Sequence, residues 1–128
     1  ELAAQLYPIQ IQHRNIHDRA GNTTRFIVIG HAANESSGKD KTSLIFLVKN
    51  RVGALYDALQ SFRGHGINMT KIESRPTKRE AWEYAFYVDL EGHQEDKEVK
   101  KALDEMEEHV AYLKILGSYP DETRWSLA

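Results

Sequence analysis

Two short clusters hold the residue types best suited to chemistry. Asn50, Arg51, Val52, Gly53, Ala54 and Leu55 read as a turn that enters a helix. Gly53 lets backbone approach backbone or ligand without a Cβ, and free amides at a helix start attract an anion such as a carboxylate. Asn50 could cap the turn or accept from an ammonium. Glu73, Ser74, Arg75 and Pro76 form the second cluster, a carboxylate, a hydroxyl and a guanidinium ahead of a rigid stop. Taken alone, each cluster is read more simply, as a glycine-containing connection and as a solvated strand end.

Other chemistries find less support. There is no cysteine, which removes disulfides, thiolate catalysis and cysteine-containing zinc sites. Of six histidines, His13 and His17 sit four apart, but their segment lacks helical patterning, so surface rings are expected rather than a metal site. His31, His65, His93 and His109 are scattered, with no ligand partner at a convincing spacing. No cofactor is expected. A formal net charge of -2 offers no basic surplus for nucleic acid or an anionic membrane, and the longest apolar run is far too short to span one. Tyr84 and Phe86 raise an RNA-stacking sheet, but Ala81-Trp82-Glu83-Tyr84 replaces the basic start of that motif, and core packing explains the rings.

These clusters are positioned by a regular pattern. The 128 residues, 41% hydrophobic and 28% charged, suit one compact globular domain. Thr42 to Lys49 carries apolar groups on both faces, as a central strand does. Leu55, Ala58, Leu59 and Phe62 recur at helical spacing between Gly53 and His65, and Gly64 and Gly66 stop that helix. Ile67 to Arg75 reads as a strand ended by Pro76, and Trp82 to Leu90 as another with Trp82, Tyr84, Phe86, Val88 and Leu90 on one face. Val99, Ala102, Leu103, Met106 and Val110 stripe a second helix over 96–110, and Tyr112 to Ser118 is the last strand. Upstream, Leu2 to Tyr7 reads as a helix end, Ile9 to Gln12 alternates, His13 to Asn22 is a loop and Arg25 to Gly30 a strand. Ala33 to Lys41 has a linker's composition, and Trp125 stands alone in a tail without pattern.

Strand, helix, strand, strand, helix, strand is the order of an α+β, ferredoxin-like βαββαβ unit: a four-stranded antiparallel sheet with two helices on one face. Ile45 and Leu47 then face away from Leu44, Phe46 and Val48, and a second copy of the chain is the simplest cover for the open face.

Gly53-Ala54-Leu55-Tyr56 after an apolar strand, and Ile72-Glu73-Ser74-Arg75-Pro76 after Gly66-Ile67-Asn68, resemble the two signature segments of the ACT domain of prephenate dehydratases. The resemblance runs through Trp82-Glu83-Tyr84 to Leu116-Gly117-Ser118-Tyr119-Pro120. Aromatic amino acid hydroxylases carry a similar domain, and a freestanding amino acid-binding module is a further alternative. Asn22-Thr23-Thr24-Arg25-Phe26 before Ile27-Val28-Ile29-Gly30 favours the dehydratases, because it looks like the segment that closes their catalytic domain.

The resemblance implies residues 1–32 as a catalytic remnant, 33–40 as linker, 41–120 as regulatory domain and 121–128 as tail. It implies a cytoplasmic biosynthetic protein that binds L-phenylalanine between paired ACT domains, as a homodimer that could pair again into a tetramer. Amides near Gly53, Ala54 and Leu55 would take the carboxylate, Asn50 the ammonium, and Val52 and Leu55 the ring, with the Glu73 to Pro76 strand end contributed by the other subunit. Thr24 matches a threonine implicated in converting prephenate to phenylpyruvate, where a hydroxyl would assist the leaving hydroxide, and Arg25 and Phe26 would position the segment. With most of that domain absent, the chain alone is expected to be inactive, and a chorismate mutase domain further upstream is left open.

Overall fold

A computed structural model describes residues 26–79 and 83–121. The sequence-predicted elements over Leu2 to Gln12, the histidine pair His13 and His17, and Thr24, Arg25, Trp82 and Trp125 lie outside the described residues. The chain divides into two compact units, Glu1–Gly30 and His31–Ala128.

Of the first unit, Phe26 to Gly30 are described, and they correct an expectation. These residues run without regular structure and are exposed, although their apolar run predicts a strand. A strand is stable only with a partner for its ladder groups, and among the described residues none pairs with this segment.

The second unit contains β1 (Asp40–Leu47), α1 (Ala54–Gly64), β2 (Met69–Pro76), β3 (Tyr84–Glu91), α2 (Lys97–His109) and β4 (Tyr112–Pro120). All pairings are antiparallel, in the order β2-β3-β1-β4, so β1 and β3 are central and β2 and β4 are edges. This is the expected α+β, ferredoxin-like arrangement.

Register decides which residues share a face, because directly opposed antiparallel residues point the same way. Leu44 opposes Val88 and Phe46 opposes Phe86, whose ring stacks on Phe46 at 5.3 Å between centroids and 21° between planes. These side chains meet Ala58 and Phe62 of α1 and Val99, Ala102, Leu103 and Met106 of α2 in one core. The apolar stripes read in both helices are therefore the buried ones. Ile45 and Leu47 stand on the open face, partly exposed, beside Tyr87 and Ala85.

Strand β1 begins at Asp40, two residues before the expected start at Thr42, because polar residues also complete the ladder. The Asp40 carbonyl accepts from the Gly92 amide at 2.8 Å and the Lys39 carbonyl from the Asp121 amide at 2.9 Å. Burial alone would raise the Asp40 carboxyl, but hydrogen bonds from the Ser37 hydroxyl and amide, with nearby His93 and Ser36, hold it below the usual carboxylate value.

Helix α1 ends in a paired-bond glycine turn: the Ile67 amide donates to Phe62 and the Gly66 amide to Arg63, with Gly66 at φ 67°. That places His65 between the helices. Its Nδ1 lies 3.1 Å from Glu98 and its Nε2 2.8 Å from Glu105. Two carboxylates facing two ring nitrogens are both satisfied only by the imidazolium, and these hydrogen bonds, Glu105 first, raise the His65 pKa above 6.5. Glu98 is lowered by His65 and then by Lys101. A raised histidine contributes stability below its unfolded value that disappears as pH climbs through the folded one; a lowered carboxylate contributes stability above its unfolded value that disappears as pH falls. The clasp is thus strongest between the reference values of 4.5 and 6.5. Replacing His65→Gln should destabilise the domain most near pH ~5.5 and least near pH ~8. Urea melts across that range check it, and an equal loss at both ends would remove the clasp from the account.

Candidate functional site

The turn from β1 to α1 opens a concavity of about 390 Å3, lined by Val48 to Arg51 and Gly53 to Tyr56 with Tyr84 and Phe86 of β3. Gly53 is the N-cap of α1 in the left-handed region, φ 78° and ψ 0°, and brings no side chain to the helix end. Three amides around the turn have backbone acceptors: Arg51 donates to Lys49, Ala54 to Arg51 and Asp57 to Gly53. The amides of Leu55 and Tyr56 have no acceptor among the described residues. Two unpaired N–H groups at a helix N-terminus, beside apolar walls, suit a ligand with a carboxylate and an apolar group.

Among the expected residues, Asn50 is exposed and its side chain makes no hydrogen bond among the described residues, so both its donor and its acceptor are available. The Arg51 guanidinium is turned to Asp57 at 2.7 Å, clipping the turn to the first turn of α1. Leu55 is partly buried against the core and also lines the concavity. Val52 is 99% exposed and lies outside this lining. Ala54 contributes less as a donor than the turn's sequence suggests, because its amide is already bonded at 3.3 Å.

The second cluster is divided by the pleat. Ser74 opposes Phe86 and Pro76 opposes Tyr84, so they flank the concavity's wall one strand away. Glu73 and Arg75 point to the other face, where Arg75 pairs with Glu73 at 3.8 Å and lies 5.9 Å over the Tyr87 ring. Tyr84, Phe86, Val48, Lys49 and Tyr56 line the concavity without having been singled out as binding residues. Period-two patterning had assigned Tyr84 and Phe86 to the core, and Phe86 serves both purposes.

Two of the scattered histidines are held by specific partners. His65 is clasped as above, and His93 is 2% exposed with both ring nitrogens engaged. Neither makes a metal centre: no cluster of three candidate ligands occurs among the described residues. Phe26 stands exposed in the first unit. Among the described residues no helix is long and apolar enough to cross a membrane.

Comparisons with known proteins fit this geometry. Residues 42–108 match the ACT domain family. The bifunctional chorismate mutase/prephenate dehydratase of Aquifex aeolicus is 55% identical over 120 residues, covering 94% of this chain and 33% of that protein. The chain spans about a third of the length of the curated relatives it matches. A prephenate dehydratase from Arthrobacter aurescens, solved in complex with L-Phe, superposes with a TM-score of 0.65 at 35% identity, over 72% of this chain and 30% of the other. GqqA, described as a novel type of quorum quenching acylase, gives a TM-score of 0.69 at 33% identity, over 77% and 35%.

Proposed function

This chain belongs to the ACT domain family, and from that premise we propose that it is the L-phenylalanine-sensing regulatory portion of a prephenate dehydratase. The observation that carries the reading is the pair of unpaired amides, Leu55 and Tyr56, at the mouth of a concavity walled by Phe86 and Tyr84. An amino acid needs an anion site, a cation site and an apolar slot. The amides take the carboxylate, the Asn50 side-chain oxygen and turn carbonyls take the ammonium, and the aromatic wall takes the ring. A relative 35% identical to this chain holds L-Phe in its solved structure, which supports the same ligand class here.

The site is completed between two copies. Val52 and Tyr56 stand exposed beside the concavity, Glu73 and Arg75 face away from it, and the open sheet face carries Ile45 and Leu47. Pairing two domains covers the apolar groups and lets the strand end of one copy reach the turn of the other. Binding then favours one arrangement of the pair, and feedback inhibition of the parent enzyme follows by linkage, typically worth ~1–3 kcal/mol. On this reading Thr24, Arg25 and Phe26 close the catalytic domain of a cytoplasmic enzyme that converts prephenate to phenylpyruvate.

Calorimetric titration with L-phenylalanine, L-tyrosine and L-tryptophan, with sedimentation to fix the oligomer, tests the proposal. Saturable binding selective for phenylalanine, one per chain in a dimer, is expected. A folded dimer that binds none of the three overturns it.

A further inference from the structure

The flexible point of the candidate site is Gly53, which holds φ 78° and brings no side chain to cap α1. Glycine loses more conformational freedom on ordering than any other residue, so a turn built on one needs ties from elsewhere. The backbone supplies three, from Arg51 to Lys49, Ala54 to Arg51 and Asp57 to Gly53. Among the described residues, the side-chain ties at this turn all come from Arg51. Its Nη1 donates to the Val52 carbonyl at 3.3 Å, and its Nη2 meets the Asp57 carboxylate at 2.7 Å. The guanidinium therefore bonds on both sides of the glycine, to the peptide plane that precedes it and to the first turn of the helix that follows. Holding both holds Gly53 between them, and with it the direction of the Leu55 and Tyr56 amides.

An arginine in the lining of an anion site would ordinarily be assigned to the anion itself. Here its two terminal nitrogens are engaged within the turn, whereas the Leu55 and Tyr56 amides have no acceptor among the described residues. Swinging the guanidinium to a ligand would also leave the Asp57 carboxylate unpaired in the same helical turn as the arriving one, and like charges oppose that. The amides are thus the binding groups, and Arg51 is what holds them.

On the reading that these amides take an effector's carboxylate, we propose that Arg51 is a positioning residue, locked by Asp57, that sets the turn for the ligand before it arrives. Affinity then scales with the fraction of chains whose turn is already set. A half-exposed ion pair raises that fraction only modestly, so breaking it should weaken binding by about two- to fivefold.

Calorimetric titration of the whole chain with L-phenylalanine, beside nuclear magnetic resonance of the ligand-free chain, tests this. Asp57→Asn should show the two- to fivefold loss, on the order expected for an exposed pair, and Asp57→Glu should restore most of the affinity. Arg51→Ala should cost at least as much as Asp57→Asn. Combining the two should weaken binding no further than Arg51→Ala alone, because a carboxylate without its guanidinium has nothing to lock. Melting temperatures should move by only a few degrees throughout. Without ligand, the heteronuclear Overhauser effects of the Val52 and Gly53 amides should fall in Asp57→Asn, while those of α1 from Ala58 onward hold. Equal or tighter binding by Asp57→Asn overturns the proposal, since Arg51 would then be a direct partner of the anion that Asp57 holds back. So does an additive loss in the double variant, or a turn as ordered in Asp57→Asn as in the parent. If the parent binds none of the aromatic amino acids, the phenylalanine reading fails, and the order of the ligand-free turn alone decides whether Arg51 sets it.

Discussion

Gly53→Val should weaken L-phenylalanine binding by at least about a hundredfold and leave the fold intact. At φ 78° a β-branched residue is strained by ~1–3 kcal/mol. A Cβ there meets no heavy atom within 4 Å, so the strain is in the backbone and not in a collision. The turn relieves it by rotating, and the Leu55 and Tyr56 amides turn with it. A hydrogen bond to a charged group contributes ~1.5–3 kcal/mol, so losing two costs at least about two orders of magnitude in affinity. Gly53→Asn is the control, since asparagine tolerates the left-handed region and should keep most of the binding. Calorimetry on both variants checks this. Affinity within about threefold of the parent for the valine variant would place the carboxylate elsewhere.

Phe46→Ala should cost ~3–5 kcal/mol, the range for truncating a buried aromatic residue, and lower the melting temperature by at least about 12 °C in a domain of this size. Phe46 is fully buried in the central strand and touches both functional layers, the helices above it and the Phe86 ring beside it. Removing it leaves a void beneath a wall of the concavity, so ligand affinity should fall together with stability. Leu116→Ala, at the exposed bulge of β4, should stay within about 1 kcal/mol. Urea denaturation compares the two, and a loss under about 2 kcal/mol at Phe46 would mean that the core is not packed as described.

Much of this architecture could be read from periodicity. The stripe from Val99 to Val110 is the buried face of α2, and the two-sided apolar run around Leu44 to Leu47 is a central strand. Apolar patterning reports burial, and burial made these elements. It reports nothing about partners, which is why Phe26 to Gly30 read as a strand and run irregularly. It is also silent about single buried polar side chains: nothing in the sequence around His93 distinguishes it from an exposed histidine, because Asn34, whose carbonyl takes the Nε2 hydrogen bond, is remote in sequence. The turn at Gly53 was legible because a glycine between a strand and a helix has few other uses. Val52 was harder, since an apolar residue in a turn does not announce that it will stand in water.

The register of β1 bears on how the chain is made. Asp40 pairs with Pro120 and Leu47 with Tyr112, so the first strand of the unit is completed by its last. Such pairing has high contact order and forms slowly, after the nearer β2–β3 hairpin and the helices have collapsed. During synthesis β1 waits with one edge open until about seventy more residues have followed it, at ~5–20 residues per second. For those seconds the apolar strand at the centre of the finished sheet is an unprotected edge, and a nascent chain interrupted before β4 is a substrate for chaperones or for aggregation.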